Sequence, residues 1–428
     1  MRVTLDYGKS GLEVELPDAN VIGVLGLAAT AALTDPAAAV EQALARPIGT
    51  RSLADVARGR RDACVVICDV TRPVPNRVLL PPILRTIEAA GIPRERITIL
   101  IATGTHRPNV GTELIAMLGE EIAGSYRVLN HACRDAAAHR DLGTSPNGVP
   151  IKLDSRYCAA DLKITVGLIE PHFMAGYSGG RKLVMPGLAA LETVQNWHCP
   201  RFLESPLATN GSVEGNPVHE EALAIAKLAP PDMIVDVTLD SANAVTAVFA
   251  GELEQAWRTG VAHAARSAQA AMPRPADIVV TSCAGYPLDA TFYQAVKGMV
   301  GAMPAVKAGG TIVIASECAE GVGSPDFQQA LFEADDLEAF VEMISQPGLF
   351  IPDAWEIEEL AKAARHADIT CISAGIPPET LRRCFVTPAR TVEEGIKAAL
   401  ARHGADATIV AIPRGPYVIP IVARGGAA

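Results

Sequence analysis

Aromatic side chains are scarce in this 428-residue chain, at 4% of positions, and no apolar run is long enough to cross a bilayer. No membrane partner is expected. The nine cysteines are odd in number and include no Cys-x-x-Cys pair, which argues against a disulfide framework. Cys64 and Cys68 share one predicted strand, where buried free thiols are the simplest reading. Positive charge is short as well: 37 Lys and Arg against 48 Asp and Glu give a net charge of -11. That balance excludes a sequence-independent nucleic-acid binder, whose affinity rests on clustered cations meeting phosphates. It leaves room for a local basic pocket and a small anionic substrate. The first residues, "MRVTLDYGKSGLEVELP", alternate polar and apolar positions and lack a signal-peptide run, so the cytoplasm is the expected compartment.

Hydrophobic residues make up 49% and charged residues 20%, the profile of a globular protein with room for two cores. Short β-branched runs alternate with amphipathic segments: "ACVVICDV" before "NRVLLPPILRTIEAAG", then "RITILIATG" and "DLKITVGLIE". A second series runs through "IVVTSCAG", "TFYQAVKGMVGAMPAVKAG", "TIVIASE", "DITCIS" and "ATIVAIP". This alternation predicts βαβ units and mostly parallel sheets. A Pro-rich break near residue 270 divides the chain into an N-terminal α/β domain over 1–270, a C-terminal α/β domain over 271–415 and a tail over 416–428.

Ligands of open α/β sheets collect beyond the carboxyl ends of the strands. Four strand exits carry chemistry. "CDVTRPVPN" brings Asp69, Thr71 and Arg72; "IATGTHRPN" brings Thr103, Thr105, His106 and Arg107. "VGLIEPHFMAGYSGGRK" brings Glu170, His172 and Lys182, and "SCAGYPLDATFYQAVKG" places Gln294 and Lys297 one helical turn apart. The glycine-rich segment is no Walker loop, because Arg181 precedes Lys182 and Leu183 follows it. Gly176, Gly179 and Gly180 could still let backbone N–H groups converge on an anion, and Lys182 could bind a phosphate or hold a cofactor covalently. His198, in "QNWHCP", is a candidate metal ligand; one histidine builds no ordinary zinc site, so a cofactor would have to bring the other donors.

Taken together, "DVTRP", "ATGTHRP", "EPHFMAGYSGGRK", "NWHCP", "GNPVHE" and "FYQAVKG" resemble, in order and spacing, the lactate racemase family of nickel-pincer nucleotide enzymes. The resemblance implies two α/β domains with the active site in the cleft between them. It further implies a pyridinium-3-thioamide-5-thiocarboxylic acid mononucleotide bound covalently to Lys182, carrying Ni2+ with His198 as its protein ligand. By the same resemblance His106 and His172 are acid/base residues, and Asp69, Thr71, Gly176, Ser178, Gly179 and Gly180 contact the cofactor. Arg72, Gln294 and Lys297 would hold the carboxylate of a 2-hydroxy acid, with Tyr293 beside them; Trp355, in "IPDAWEIEEL" and outside these motifs, either walls the pocket from the second domain or packs its helix as an ordinary Trp. The expected activity is racemisation or epimerisation of lactate or a similar short 2-hydroxy acid by reversible hydride transfer, with separate maturation proteins supplying the cofactor. Two alternatives stand beside it. An NAD-dependent 2-hydroxy acid dehydrogenase would need a strand-anchored G-x-G-x-x-G with a downstream acid, which the chain lacks. A non-catalytic binding member would be expected to lose His106, His172 or Lys182, and all three are present.

Overall fold

The computed structural model describes residues 1–346 and 349–422. Two six-stranded sheets organise it. The first runs in the order Val245–Gly251, Met233–Leu239, Leu162–Leu168, Ala63–Cys68, Ile97–Ala102 and Arg127–Asn130. All its pairings are parallel except that of the edge strand Val245–Gly251. The second runs Thr387–Pro388, Asp368–Ile372, Val306–Ala315, Ala276–Ser282, Ile409–Ile412 and Val21–Val24, parallel throughout. Central strands such as "ACVVIC" read as unbroken apolar runs because helices cover both faces of a parallel sheet. Covering helices show the complementary stripe: in Asn76–Ala89, Leu79, Leu80, Ile83, Leu84 and Ile87 are buried at helical spacing. One apolar cluster extends from Trp257 and Ile169 to Val279 and Phe292, joining the two halves behind the cleft.

In three places the structure differs from the expected organisation. The first residues belong with the second sheet: Val21–Val24 forms its edge against Ile409–Ile412, preceded by the hairpin Arg2–Leu5/Leu12–Glu15. The N-terminal domain therefore does not begin at residue 1. At the other end, Ile419–Val422 pairs in parallel with Gln269–Met272, and Gly415–Tyr417 forms a helical turn, so 416–422 is ordered structure rather than tail; residues 423–428 lie outside the described residues. The predicted helix at 291–309 stops earlier. Phe292–Ala302 is helical, Pro304 sits in a short 3-10 turn, and the strand begins at Val306.

Each sheet has a point where the strand order reverses, and there the loops part to leave a crevice. In the first sheet it lies between Ala63–Cys68 and Leu162–Leu168; in the second, between Ala276–Ser282 and Ile409–Ile412. The turn Pro171–His172 from the first crevice packs on Gly415–Tyr417 from the second. The cleft forms where the two reversals meet.

Candidate functional site

The cleft is lined from both halves by Asp69, Thr71, Arg72, His106, His172, Ser178, Gly179, Lys182, His198, Tyr293, Lys297, Trp355 and Glu356, among others. Most residues singled out in the sequence thus come together. Gly176, Gly180 and Gln294 do not line the cleft.

The loop after Ala63–Cys68 is organised by Asp69. Its Oδ1 accepts from the Thr71 N–H (3.1 Å) and hydroxyl (2.5 Å), and its Oδ2 lies 2.6 Å from His106 Nδ1. Burial alone would raise this carboxyl, but His106, Thr71 and Arg72 together hold it below the usual carboxylate range. Both oxygens are committed, so Asp69 orients the imidazole: Nδ1–H donates to the carboxylate and Nε2 is left with a lone pair. Arg72 meets Glu170 across the strand reversal, Nε to Oε1 at 3.0 Å. Burial pushes the Glu170 carboxyl up and Arg72 opposes the rise.

His172 is held differently. Its Nδ1 accepts from the backbone N–H groups of Met174 (3.4 Å) and Ala175 (3.2 Å), so in the neutral ring the proton resides on Nε2. The ring stacks on Phe173 at 5.0 Å. Withdrawal from water, with Lys182, Arg72 and Lys297 adding positive charge, holds its pKa well below the ordinary value.

The glycines work otherwise than as an open anion cradle. Gly180 donates its N–H to buried Asp236 Oδ2 at 2.7 Å, which removes it from the donors available to an anion. Gly176, Gly179 and Gly180 all have positive φ, and a Cβ on Gly176 would sit 2.0 Å from the Ser212 carbonyl oxygen. Beneath the segment, fully buried Arg181 donates to the carbonyls of Tyr177 (2.9 Å) and Ala175 (2.8 Å) and lies 4.3 Å from the centre of the Trp257 ring. Trp257 Nε1 donates to the Ser178 carbonyl at 2.8 Å. The Ser178 hydroxyl is also engaged, donating to Leu168 O at 2.6 Å and accepting from the Glu170 N–H at 3.1 Å. Arg181, adjacent to Lys182 in sequence, thus points away from the cleft as internal scaffolding.

The Lys182 side chain points into the cleft, and among the described residues its amine forms no hydrogen bond or ion pair; Nζ lies 5.4 Å from the centre of the Trp197 ring. Desolvation, then the charges of Arg181, Arg72 and Lys297, hold its pKa well below the usual lysine value, which makes the amine a better nucleophile. His198 is wedged between two indoles, 4.2 Å from Trp197 and 4.9 Å from Trp355 across the cleft. Both its ring nitrogens are buried and without a partner. Opposite, Lys297 Nζ donates to Gln294 Oε1 one helical turn away, and Trp355 Nε1 donates to the Tyr293 hydroxyl at 2.8 Å. Arg107 turns outward instead, paired with Glu113 at 2.7 Å and 65% exposed.

Among the described residues no group of three or more His, Cys, Asp or Glu side chains could hold a metal alone. The observed donor set fits the expected group: His198 offers one unpartnered imidazole nitrogen, and Lys182 offers an unpaired amine in the same cleft. Sequence reasoning missed Glu356, which resembles an ordinary helix-surface acid, and Asp236, which sits in a strand with no motif around it. Tyr417 and Arg414, which approach Glu170 from the second sheet, fell at the border of the supposed tail.

A cleft at two facing strand reversals, with paired histidines and cationic side chains from both halves, defines a two-domain α/β enzyme. Family models of the lactate racemase N-terminal and C-terminal domains match residues 7–211 and 271–420. The lactate racemase of Thermoanaerobacterium thermosaccharolyticum is 36% identical over 421 residues, 97% of this chain and 98% of that protein. The lactate racemase of Lactiplantibacillus plantarum is 34% identical over 422 residues, 97% of this chain and 99% of that one. The solved structure of the Thermoanaerobacterium thermosaccharolyticum lactate racemase apoprotein superposes with a TM-score of 0.92, covering 98% of this chain and all of that one at 35% identity. A Thermotoga maritima protein at 18% identity and TM-score 0.73 shares the fold. The chain belongs to the lactate racemase family, a family of isomerases. No helix among the described residues is long and apolar enough to cross a membrane.

Proposed function

We propose that the protein racemises a short 2-hydroxy acid, the class to which the lactate of its named relatives belongs. The observation that carries this reading is the convergence of His106, His172, Arg72 and Lys297 on one cleft. Arg72, fixed at Nε by Glu170 and donating from Nη1 to the Thr71 carbonyl, keeps Nη2 for a carboxylate, and Lys297 adds a second cation from the opposite half. His106, oriented by Asp69, takes the hydroxyl proton at Nε2. His172 presents its Nε2–H to the other side of the substrate and serves the opposite hand; to take a proton at Nε2 the ring must first adopt the tautomer protonated at Nδ1, which gives up the bonds Nδ1 accepts from the Met174 and Ala175 amides. Direct proton removal from Cα would place a carbanion beside a carboxylate. A nickel-pincer nucleotide held by Lys182 and His198 would supply, when bound, an acceptor that takes the Cα hydrogen as hydride and returns it to either face of a 2-oxo acid. Gly179, in the cleft wall, would lie against it. Loading that group calls on separate maturation proteins, and the nine free cysteines suit a reducing compartment such as the cytoplasm.

The test uses Cα-deuterated lactate and protein co-expressed with maturation enzymes. Racemisation with most deuterium retained and no need for added NAD is the expected result. Loss of deuterium to water at the rate of racemisation would defeat the hydride scheme; strict dependence on NAD with release of oxo acid would indicate a dehydrogenase.

A further inference from the structure

Glu356 stands in the first turn of helix Ala354–His366, directly after Trp355, and lines the cleft beside Lys297 and Tyr293. It is 1% exposed, and its Oε1 has no hydrogen-bond partner. The other carboxyl lining the cleft, Asp69, is fully engaged by Thr71 and His106. Lys297 offsets the charge of Glu356 only in part: among the described residues the two form no ion pair within 4 Å, and the ammonium donates to Gln294. A buried carboxyl without a partner costs stability, and a wall meant only to enclose a methyl group would do better with an apolar side chain. A ligand group that completes it accounts for its presence.

The remaining groups narrow which part of the substrate that is. Arg72 and Lys297 suit the carboxylate, and His106 and His172 suit the 2-hydroxyl, which leaves the substituent on C3. Resting on the racemase reading, we propose that Glu356 reads that substituent and selects 2-hydroxy acids bearing a neutral hydrogen-bonding group on C3, a 2,3-dihydroxy acid in the simplest case. A C3 hydroxyl donates to the Glu356 carboxyl from the cleft. A second carboxylate would face a carboxyl in a desolvated wall, and among the described residues no further cation serves it, since Arg107 points outward to Glu113 and Lys182 is assigned to the cofactor. Burial, only partly opposed by Lys297, raises the Glu356 pKa well above the ordinary value, so the group can also donate.

The experiment compares 2,3-dihydroxypropanoate, lactate and 2-hydroxybutanedioate with holoenzyme, Glu356→Gln and Glu356→Leu, by kcat/KM for racemisation and by calorimetric binding. In the parent enzyme the dihydroxy acid should exceed lactate by at least about tenfold in both measures, with the diacid weakest. Glu356→Leu should bring the ratio of dihydroxy acid to lactate to about one or below. Glu356→Gln, which keeps the shape and the hydrogen bonding, should preserve most of the preference. An unchanged ratio in Glu356→Leu, or an equal loss for both acids as expected if Glu356 merely supports Lys297, overturns the proposal. Binding with the expected ratio but no racemisation of any of the acids would count against the racemase reading and leave the assignment of Glu356 standing.

Discussion

The two walls of the cleft are built by different means. On the first-sheet side, functional groups sit on irregular loops, and buried polar groups fix those loops from behind: Asp236 on the Gly180 N–H, Arg181 on two carbonyls, Trp257 on a third. On the second-sheet side Tyr293, Lys297, Trp355 and Glu356 ride on regular helices whose backbones satisfy themselves. Loop-borne groups can be aimed at several points of a ligand but depend on hidden supports; helix-borne groups need little support and are confined to one face. The first wall accordingly suits a large fixed group and proton handling, the second suits holding and sorting a small acid.

The sharpest way to break that division is to remove the lysine from each wall. Lys182→Ala should abolish both activity and any covalent adduct in an intact mass spectrum, with the fold kept by circular dichroism. Lys297→Ala should keep the adduct mass while raising KM at least about tenfold. An adduct that survives Lys182→Ala, or disappears in Lys297→Ala, would reverse the assignment of the walls.

Next in size is the histidine pair within the first wall. His106→Ala and His172→Ala should each lower racemisation by at least about a hundredfold. Side-chain 15N spectra should show the neutral rings as opposite tautomers, the proton on Nδ1 in His106 and on Nε2 in His172. A shared tautomer would contradict the hydrogen bonds to Asp69, Met174 and Ala175.

A smaller effect probes the hidden supports. Gly176→Ala must fit a Cβ 2.0 Å from the Ser212 carbonyl oxygen at a φ of 75°, which should cost about 3 kcal/mol in denaturant titration. The equivalent change on a helix of the second wall, Ala295→Gly, should cost only about 1 kcal/mol plus the lost methyl contact.

The smallest expected effect is in pH dependence. Burial raises Asp236 to about 7 in the first half, despite the Gly180 N–H and Arg181, and raises Glu359 to about 7 in the second, despite Lys362. Each folded pKa exceeds the unfolded value. The native state therefore binds the extra proton, and the stability it lends is complete below about pH 4 and lost as pH rises through about 7. Asp236→Asn and Glu359→Gln should each flatten the fall of melting temperature between pH 4.5 and 7.5, where one such group contributes up to about 1.4 kcal/mol per pH unit. An unchanged slope in either variant would mean that its carboxyl is ionised in the fold.

Much of this was legible in the sequence, for identifiable reasons. Parallel strands buried on both faces write themselves as apolar runs, so "ACVVIC", "ITILIA" and "LKITVGL" stand out, and the polar residues that follow each run mark the crevice. Residues acting through long-range partners were hidden. Val21–Val24 is four residues long and takes its place from a strand near the other end of the chain. The Gly180 N–H looked free because its acceptor, Asp236, lies 56 positions away. Arg181 and Lys182 read as one basic pair, although a 3-10 turn sends them to opposite sides of the segment. Nothing around Glu356, Glu358 and Glu359 in the sequence signals burial, yet all three are buried, on a helix that packs against the short helix Pro200–Leu203.

The pairing of Val21–Val24 with Ile409–Ile412 also bears on how the molecule comes into being. The ribosome makes the edge strand of the second sheet about 390 residues ahead of its neighbour. Until then the first sheet can close on its own local crossovers, while the leading hairpin and strand remain without their sheet. The nascent chain therefore completes the first wall before any of the second is made, and a ribosome stalled between residues 388 and 409 would hold four strands of the second sheet while Val21–Val24 still lacked its partner.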